Sequence, residues 1–354
     1  MADGSMSRVT IFEVADLAGV SVGTVSKALN GRGQLRAETV ERVRAAARDL
    51  GFEPSELAKS LLRGRTFTVG LLTSDSFGRF SIPLTSGIED ALGAGQISVF
   101  LCDARGDRVR EQHYVRSLLS RRVDGIIVTG RRTDPRAPIN DERLPVPVVY
   151  AYCQSSSPDD LSLLPDDYQG GQLAARHLLA RGRRRLAHVT GPVRFAAVRE
   201  REQGLRSVLD TAGVELPASR ILAGEWTEAW GREAAGALLS QNPDVDAIFC
   251  GSDIIARGVA DELREAGIRV PEDVALVGFD NWEIMAAATR PPLTSIDMNI
   301  EGLGKTAAHR LLAMIRGDAL SGVERMPCRL VVRDSSGVST LRDLSTEHDP
   351  SASL

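Results

Sequence analysis

The 354-residue chain has only four cysteines, Cys102, Cys153, Cys250 and Cys328, widely separated and never in a C-x-x-C pair. That spacing excludes a disulfide framework and a cysteine-rich zinc site, and it fits a reducing compartment. The five histidines are scattered as well, so neither a metal nor a cofactor is expected. No run of about 18 apolar residues occurs, which excludes a membrane-spanning helix. The start MADGSMSRVT lacks the apolar core of an export signal, so a cytoplasmic location is expected. Lysine is scarce: of 43 basic residues only Lys27, Lys59 and Lys305 are lysine. Enzyme signatures are missing too, with no G-x-G-x-x-G after a strand and no G-x-S-x-G elbow. The stretch NIEGLGKT at 299–306 fails as a phosphate loop, because that pattern needs glycine where Asn299 stands. These absences favour a binding protein over an enzyme.

What the chain does have is a compact signature at residues 10–30, TIFEVADLAGVSVGTVSKALN. Thr10 and Glu13 stand in the T-x-x-E spacing of a capping box, and Ile11, Val14, Ala15 and Ala18 form one apolar helical face. Gly19 follows where a helix end needs positive φ, and Ser21 is placed to cap a second helix. Val25, Ala28 and Leu29 supply the inward side of that helix, and Asn30-Gly31 stops it. A third helix is predicted over about Ala37–Leu50, with Val40, Val43, Ala47 and Leu50 inward. Two short helices around a tight turn, braced by a third, present the second helix to the major groove of DNA. Residues 1–65 carry ten Arg or Lys and eight Asp or Glu, a net of +2; the whole chain carries −4, which leaves −6 for the rest. A weakly basic head on an acidic body suits a DNA-reading module joined to a ligand-binding one.

Beyond the head, the apolar runs TVGLLTS, ISVFLCD, DGIIVTG and VPVVYAY alternate with helical stretches. After about Asp166 the pattern restarts with RRLAHVTG, RILAGEW, DAIFCGSD and DVALVGFD. Such alternation predicts parallel sheets covered by helices, and two sets predict two subdomains with a cleft between them. Ligands of open α/β sheets sit at the carboxyl ends of the strands. Asp75, Ser252, Asp253, Asp280 and Asn281 occur at such ends, and Trp226 offers a flat apolar face for a sugar ring.

The strings VTIFEVADLAGVSVGTVSKALNG, ETVERVRAAARDLGFEP and ELAKSLLRGRTFTVGLL open a resemblance that continues through HLLARGRRRLAHVTGP, FCGSDIIARGVADELREAGIRVPEDVALVGFDN and RPPLTSIDMNIEGLGKTAAHRLL. They resemble the lactose-repressor (LacI/GalR) family of bacterial transcription regulators, over roughly Val9 to Leu341. The resemblance implies an α/β fold: a helix-turn-helix headpiece plus a periplasmic-binding-protein-like core of two doubly wound parallel-sheet subdomains. The expected organisation is an N-terminal extension at 1–8, a headpiece at 9–53, a hinge helix and linker at 54–65, a core at 66–341 and a tail at 342–354. Within the core, subdomain 1 is expected at about 66–166 and 297–326, and subdomain 2 at about 167–296 and 327–341, with crossings near Asp166, Ile296 and Met326. The tail lacks a sustained leucine heptad, so a homodimer is expected rather than a tetramer held by a coiled coil.

The same resemblance assigns residues. Val22, Gly23 and Lys27 match base readers: Val22 for apolar contact, Gly23 bringing no side chain, Lys27 as a donor to guanine O6 and N7. Ser21, Thr24, Ser26 and Asn30 are expected on phosphates, which set register without carrying sequence. In the hinge, Ala58 and Leu61 are expected at the minor groove, and Leu61 matches the leucine that wedges into the central base step and kinks the duplex. Leu62 stands where relatives carry a basic residue, and Arg36 where a serine cap is expected. Arg199 and Asp280 match residues that grip an effector's hydroxyls, and Phe80 matches an aromatic of the cleft wall. Ser252 replaces an asparagine, and Arg79 a second aromatic, which leaves the effector's identity open. The implied function is a repressor of a palindromic operator whose affinity is changed by a small molecule, a sugar, in the cleft. A corepressor-dependent regulator with a non-sugar effector is the alternative; a free solute-binding protein would need an export signal.

Overall fold

The computed structural model describes residues 9–31, 33–52, 66, 68–76, 78–93, 97–140 and 144–337. The expectations for the 1–8 extension, for the hinge with Ala58 and Leu61, and for the 342–354 tail lie outside the described residues. The chain forms two compact units, Met1–Phe67 and Thr68–Leu354.

The first unit holds α1 (Ile11–Ala18), α2 (Val22–Leu29) and α3 (Ala37–Asp49). The Glu13 carboxylate accepts the N–H of Thr10 at 2.7 Å and its hydroxyl at 2.8 Å, closing the first turn of α1. Gly19 ends that helix at φ 63°, a left-handed conformation that glycine adopts without steric cost. The Ser21 hydroxyl caps α2 by accepting the Thr24 N–H at 3.2 Å. Arg36 starts α3 without a side-chain cap. Val14, Ala15, Ala18, Val25, Ala28, Val43, Ala46 and Ala47 are buried together, with Ile11, Leu29, Val40 and Leu50 half-buried around them. The apolar faces that periodicity identifies are thus the ones that pack.

The second unit is built on two six-stranded sheets. The first contains β1 (Thr68–Thr73), β2 (Ser98–Asp103), β3 (Gly125–Thr129), β5 (Val148–Ala151), β7 (Leu161–Pro165) and β13 (Gly322–Met326), in the order β13-β7-β5-β3-β1-β2 and parallel throughout. The second contains β8 (Leu186–Thr190), β9 (Ile221–Ala223), β10 (Ala247–Cys250), β11 (Ala275–Phe279), β12 (Thr294–Asp297) and β14 (Arg329–Val331), in the order β14-β12-β11-β10-β8-β9. Only β14 runs antiparallel, against β12. A two-residue pair, β4 (Pro135–Arg136) with β6 (Gln154–Ser155), lies apart from both sheets. The chain passes between the sheets after β7, after β12 and after β13. Three of these strands escape the apolar-run reading. β7 ends on a proline, β12 (TSID) carries three polar residues, and β13 is an edge strand of alternating exposure, so none looks like a continuous apolar run.

Helices α4 (Ser81–Leu92), α5 (Arg108–Ser120), α6 (Asp167–Ala180), α7 (Ala196–Thr211), α8 (Glu228–Gln241), α9 (Asp253–Glu265), α10 (Glu283–Ala286) and α11 (Ile300–Arg316) complete the unit. The α6–α7 contact is the one that matters for the site. A side chain at Gly204 would overlap the Tyr168 carbonyl oxygen, and one at Gly171 would overlap that of Arg201. Gly204→Ala is therefore expected to destabilise this unit by about 1–3 kcal/mol through overpacking. A urea midpoint equal to that of the unsubstituted chain would show that the helices separate without cost. The failed phosphate-loop stretch lies at the start of α11, where Lys305 pairs with Glu301 at 2.8 Å and Asp90 at 3.1 Å. Among the described residues no helix is long and apolar enough to cross a membrane, and no cluster of His, Cys, Asp and Glu is arranged to hold a metal ion.

Candidate functional site

A cavity of about 440 Å³ opens where the carboxyl ends of strands from both sheets face each other. From the first sheet come Asp75, Arg79 and Phe80 between β1 and α4, Arg131–Asp134 after β3, and Tyr152 after β5. From the second come Phe195, Ala197 and Arg201 around the start of α7, Trp226 after β9, Ser252 and Ile254 around the start of α9, and Asp280 and Trp282 after β11. A larger groove of about 1110 Å³ lies beside Val146–Val148 and Gly317–Ser321, at the amino end of β5. It is the wrong end of the sheet for ligand binding and gathers no guanidinium group.

The wall is aromatic and charged. Phe80 stacks on Tyr152 at 4.4 Å, and Phe195 stacks on Trp226 at 6.5 Å. Arg79 forms an ion pair with Asp280 across the cavity, and its guanidinium lies 5.0 Å from the Phe80 ring and 5.1 Å from that of Trp282. Asp280 sits at φ 103°, a conformation costly for a side chain larger than glycine, and its N–H is fixed by the Ile296 carbonyl at 2.8 Å. Asp75 takes the N–H groups of Phe80 at 2.7 Å and Ser81 at 3.0 Å, so it holds the loop that carries Arg79. Ser252 caps α9 by accepting the Ile255 N–H at 3.3 Å.

Five of the expected effector residues, Asp75, Phe80, Trp226, Ser252 and Asp280, share this one cavity. Two do not. Arg199 is exposed and folds back on its own helix start, donating to the carbonyls of Val193 at 3.0 Å and Arg194 at 2.6 Å. The arginine in the wall is Arg201, 3% exposed. Two residues are about 200° apart on a helix, so these two arginines face opposite ways. Arg201 lies on the buried face of Val198, Leu205 and Leu209, and an arginine at that spacing is the signal that identifies it. It donates Nε to Asp167 at 2.8 Å and Nη1 to the Gly251 carbonyl at 2.6 Å, and its guanidinium lies 3.5 Å over the Phe279 ring. Asp253 is the second correction. It is fully buried beneath the wall, accepting the Trp282 N–H at 2.7 Å and the Ser295 hydroxyl at 2.6 Å. Sequence reasoning also missed Trp282, Tyr152, Phe195, Arg132 and Asp134, which come from loops with no periodicity to mark them.

Burial pushes the Asp253 carboxyl from an ordinary 3.8 up to about 8, and the charge of Asp280 adds to the rise. Burial raises Asp280 as well, against the pull of Arg79 and Arg201. A carboxyl raised in this way keeps its proton when folded and loses it when unfolded, so stability falls as pH climbs through that interval. Asp253→Asn keeps an acceptor for the Trp282 N–H and reverses the Ser295 bond, the amide then donating to the hydroxyl oxygen, and is expected to flatten the fall. Urea midpoints at about pH 5 and about pH 8 measure it; parallel slopes in both proteins would refute it.

In the headpiece, Gly23 and Lys27 are exposed on α2, whereas Val22 is half-buried against the three-helix core. Ser21 and Thr24 share a hydroxyl–hydroxyl bond of 2.9 Å, and Asn30 donates to the Ser26 carbonyl at 2.8 Å. The polar side chains expected on phosphates therefore also cap α2 at both ends.

A helix-turn-helix unit followed by a two-sheet unit with a ligand-sized cavity defines a ligand-responsive, DNA-binding class of protein. Residues 66–334 match the periplasmic binding proteins and sugar binding domain of LacI family, and residues 10–55 match the bacterial regulatory proteins of the lacI family. The PurR transcriptional repressor of Aliivibrio fischeri (strain MJ11) is 32% identical over 330 residues, spanning 92% of this chain and 98% of its own. A solved complex of the transcriptional regulator CelR with cellobiose is 31% identical, covers 93% of this chain and 100% of its own, and superposes with a TM-score of 0.63. The Lac repressor dimer bound to operator and the anti-inducer ONPF is 27% identical, covers 94% of this chain and 100% of its own, and gives a TM-score of 0.77. The chain belongs to the LacI family of DNA-binding transcriptional regulators, and is a regulator rather than an enzyme.

Proposed function

We propose that the protein acts in the cytoplasm as a homodimeric repressor that leaves a palindromic operator when a sugar occupies the cavity between its two sheets. One observation carries this reading: Asp280, Arg201 and a set of aromatic rings converge on one cavity in a chain that also carries the headpiece. Carboxylate and guanidinium groups accept from and donate to sugar hydroxyls, and the rings of Trp226 and Phe80 suit a sugar's apolar face. Two-fold symmetry of the dimer matches two half-sites, with Gly23, Lys27 and Val22 toward base edges and Ser21, Thr24, Ser26 and Asn30 toward phosphates. Ala58 and Leu61 belong to the minor-groove element of this scheme. The effector biases DNA affinity because it binds one arrangement of the two sheets better than the other.

An operator selected from a random pool of palindromes provides the assay. Its fluorescence anisotropy is titrated with protein in the presence of a panel of sugars and nucleobases. At least one sugar is expected to weaken operator binding tenfold or more, and Asp280→Ala to abolish that response while operator binding persists. A nucleobase response without any sugar response would reject the sugar; a sugar that tightens operator binding would reverse the sign.

A further inference from the structure

Two atoms of the cavity wall lack partners, and they are of opposite hydrogen-bonding sense. Arg79 Nε is a buried donor and Asp134 Oδ2 a buried acceptor, and neither meets a partner among the described residues. Buried polar groups are ordinarily satisfied, so each is an atom that a partner from outside the chain would satisfy.

Their neighbours already have protein partners. The other carboxylates of the wall are held by protein donors: Asp75 by two backbone N–H groups, Asp280 by Arg79 itself. Asp134 spends Oδ1 on the Ala196 N–H at 2.9 Å, at the start of α7, and keeps only Oδ2. Arg201 likewise donates to Asp167 and to the Gly251 carbonyl. The buried wall atoms without a partner are therefore one on a cation and one on an anion. Arg132, whose guanidinium lies 4.1 Å from the Phe195 ring, adds a second positive charge to the same wall.

We propose that Arg79 makes this cavity selective for a hydroxylated ligand bearing a carboxylate, an acidic sugar, whose carboxylate accepts from Arg79 Nε while a hydroxyl donates to Asp134 Oδ2. The proposal rests on the reading of the cavity as the effector site. A neutral hydroxyl also accepts a hydrogen bond from the guanidinium, but a carboxylate adds the opposite charge and the matching planar geometry. The Phe80 and Trp282 rings flank the guanidinium and hold its donor edge in place, a geometry that a flexible lysine lacks. Arg79 stands on the loop fixed by Asp75, so the backbone that carries the donor is held before any ligand arrives.

Isothermal titration calorimetry of the full chain against D-glucose and D-glucuronate, and against D-galactose and D-galacturonate, isolates the carboxylate. In at least one pair the acidic member is expected to bind tenfold or more tightly than its neutral partner. Arg79→Gln is expected to erase that preference, and Arg79→Lys to retain part of it; if the glutamine variant melts early, the reduced preference of the lysine variant decides. Neutral sugars binding as tightly as their acidic partners, or a preference untouched by both substitutions, would overturn the proposal and leave the sugar-binding cavity standing. Binding of neither kind of sugar would overturn both.

Discussion

Arg201→Ala is expected to lower the unfolding free energy of the two-sheet unit by about 3–5 kcal/mol, the range for removing one partner of a buried ion pair. Arg201 is 3% exposed and Asp167 1% exposed, with their atoms 2.7 Å apart, so truncation strands the Asp167 carboxylate as a buried charge. It also removes the donor to the Gly251 carbonyl and the cation over Phe279. Arg199→Ala, two residues earlier, removes an exposed side chain and is expected to cost less than about 0.5 kcal/mol. Urea unfolding followed by tryptophan fluorescence separates the two. All three tryptophans, Trp226, Trp230 and Trp282, lie in the two-sheet unit, so the signal reports that unit and not the headpiece. Adding Asp167→Ala to Arg201→Ala should recover part of the loss, because no charge is then stranded. Equal midpoints for the Arg199 and Arg201 variants would mean that Arg201 is not the anchor its contacts indicate.

Lys27→Ala is expected to weaken binding to the selected operator by roughly 2–6 kcal/mol, one base contact of about 1–3 kcal/mol in each of two half-sites. Lys27 is exposed near the end of α2, four residues after the equally exposed Gly23, and its stem runs beside Gly33. With Val22 half-buried and Gly23 bare, Lys27 is the main polar group on that face. Anisotropy titrations on the operator, on a variant changed at one symmetric base pair and on unrelated DNA distinguish its role. A base reader loses affinity for the operator alone, whereas a phosphate contact loses it on every sequence and lowers the salt dependence. Uniform loss would move Lys27 from the first group to the second.

Much of the fold was legible in the sequence, for local reasons. The headpiece could be drawn because capping at Thr10, Glu13 and Ser21 and the turn at Gly19 are set within a few residues. The strands β1, β3, β8, β10 and β11 are buried on both faces and therefore show as apolar runs. β13, a peripheral strand with alternating exposure, carries no such mark.

The cavity was legible only where a residue's place along the chain coincides with its place in space. Asp75, Ser252 and Asp280 follow strands, and a strand's carboxyl end points at the cavity whatever surrounds it. A helix turns by about 100° per residue, so an error of two positions exchanges the exposed Arg199 for the buried Arg201. Asp253 and Ser252 are neighbours in sequence, yet one lies beneath the wall and the other on it, because α9 begins between them. The pairing of Arg79 with Asp280 joins residues 201 positions apart. Sequence alone determined that this chain joins a DNA-reading headpiece to a two-part α/β core, since caps, turns and apolar periods are local. Only the tertiary structure decided which charges meet in the cavity and which donor remains open there. That choice depends on burial and on contacts between distant segments, which no local pattern records.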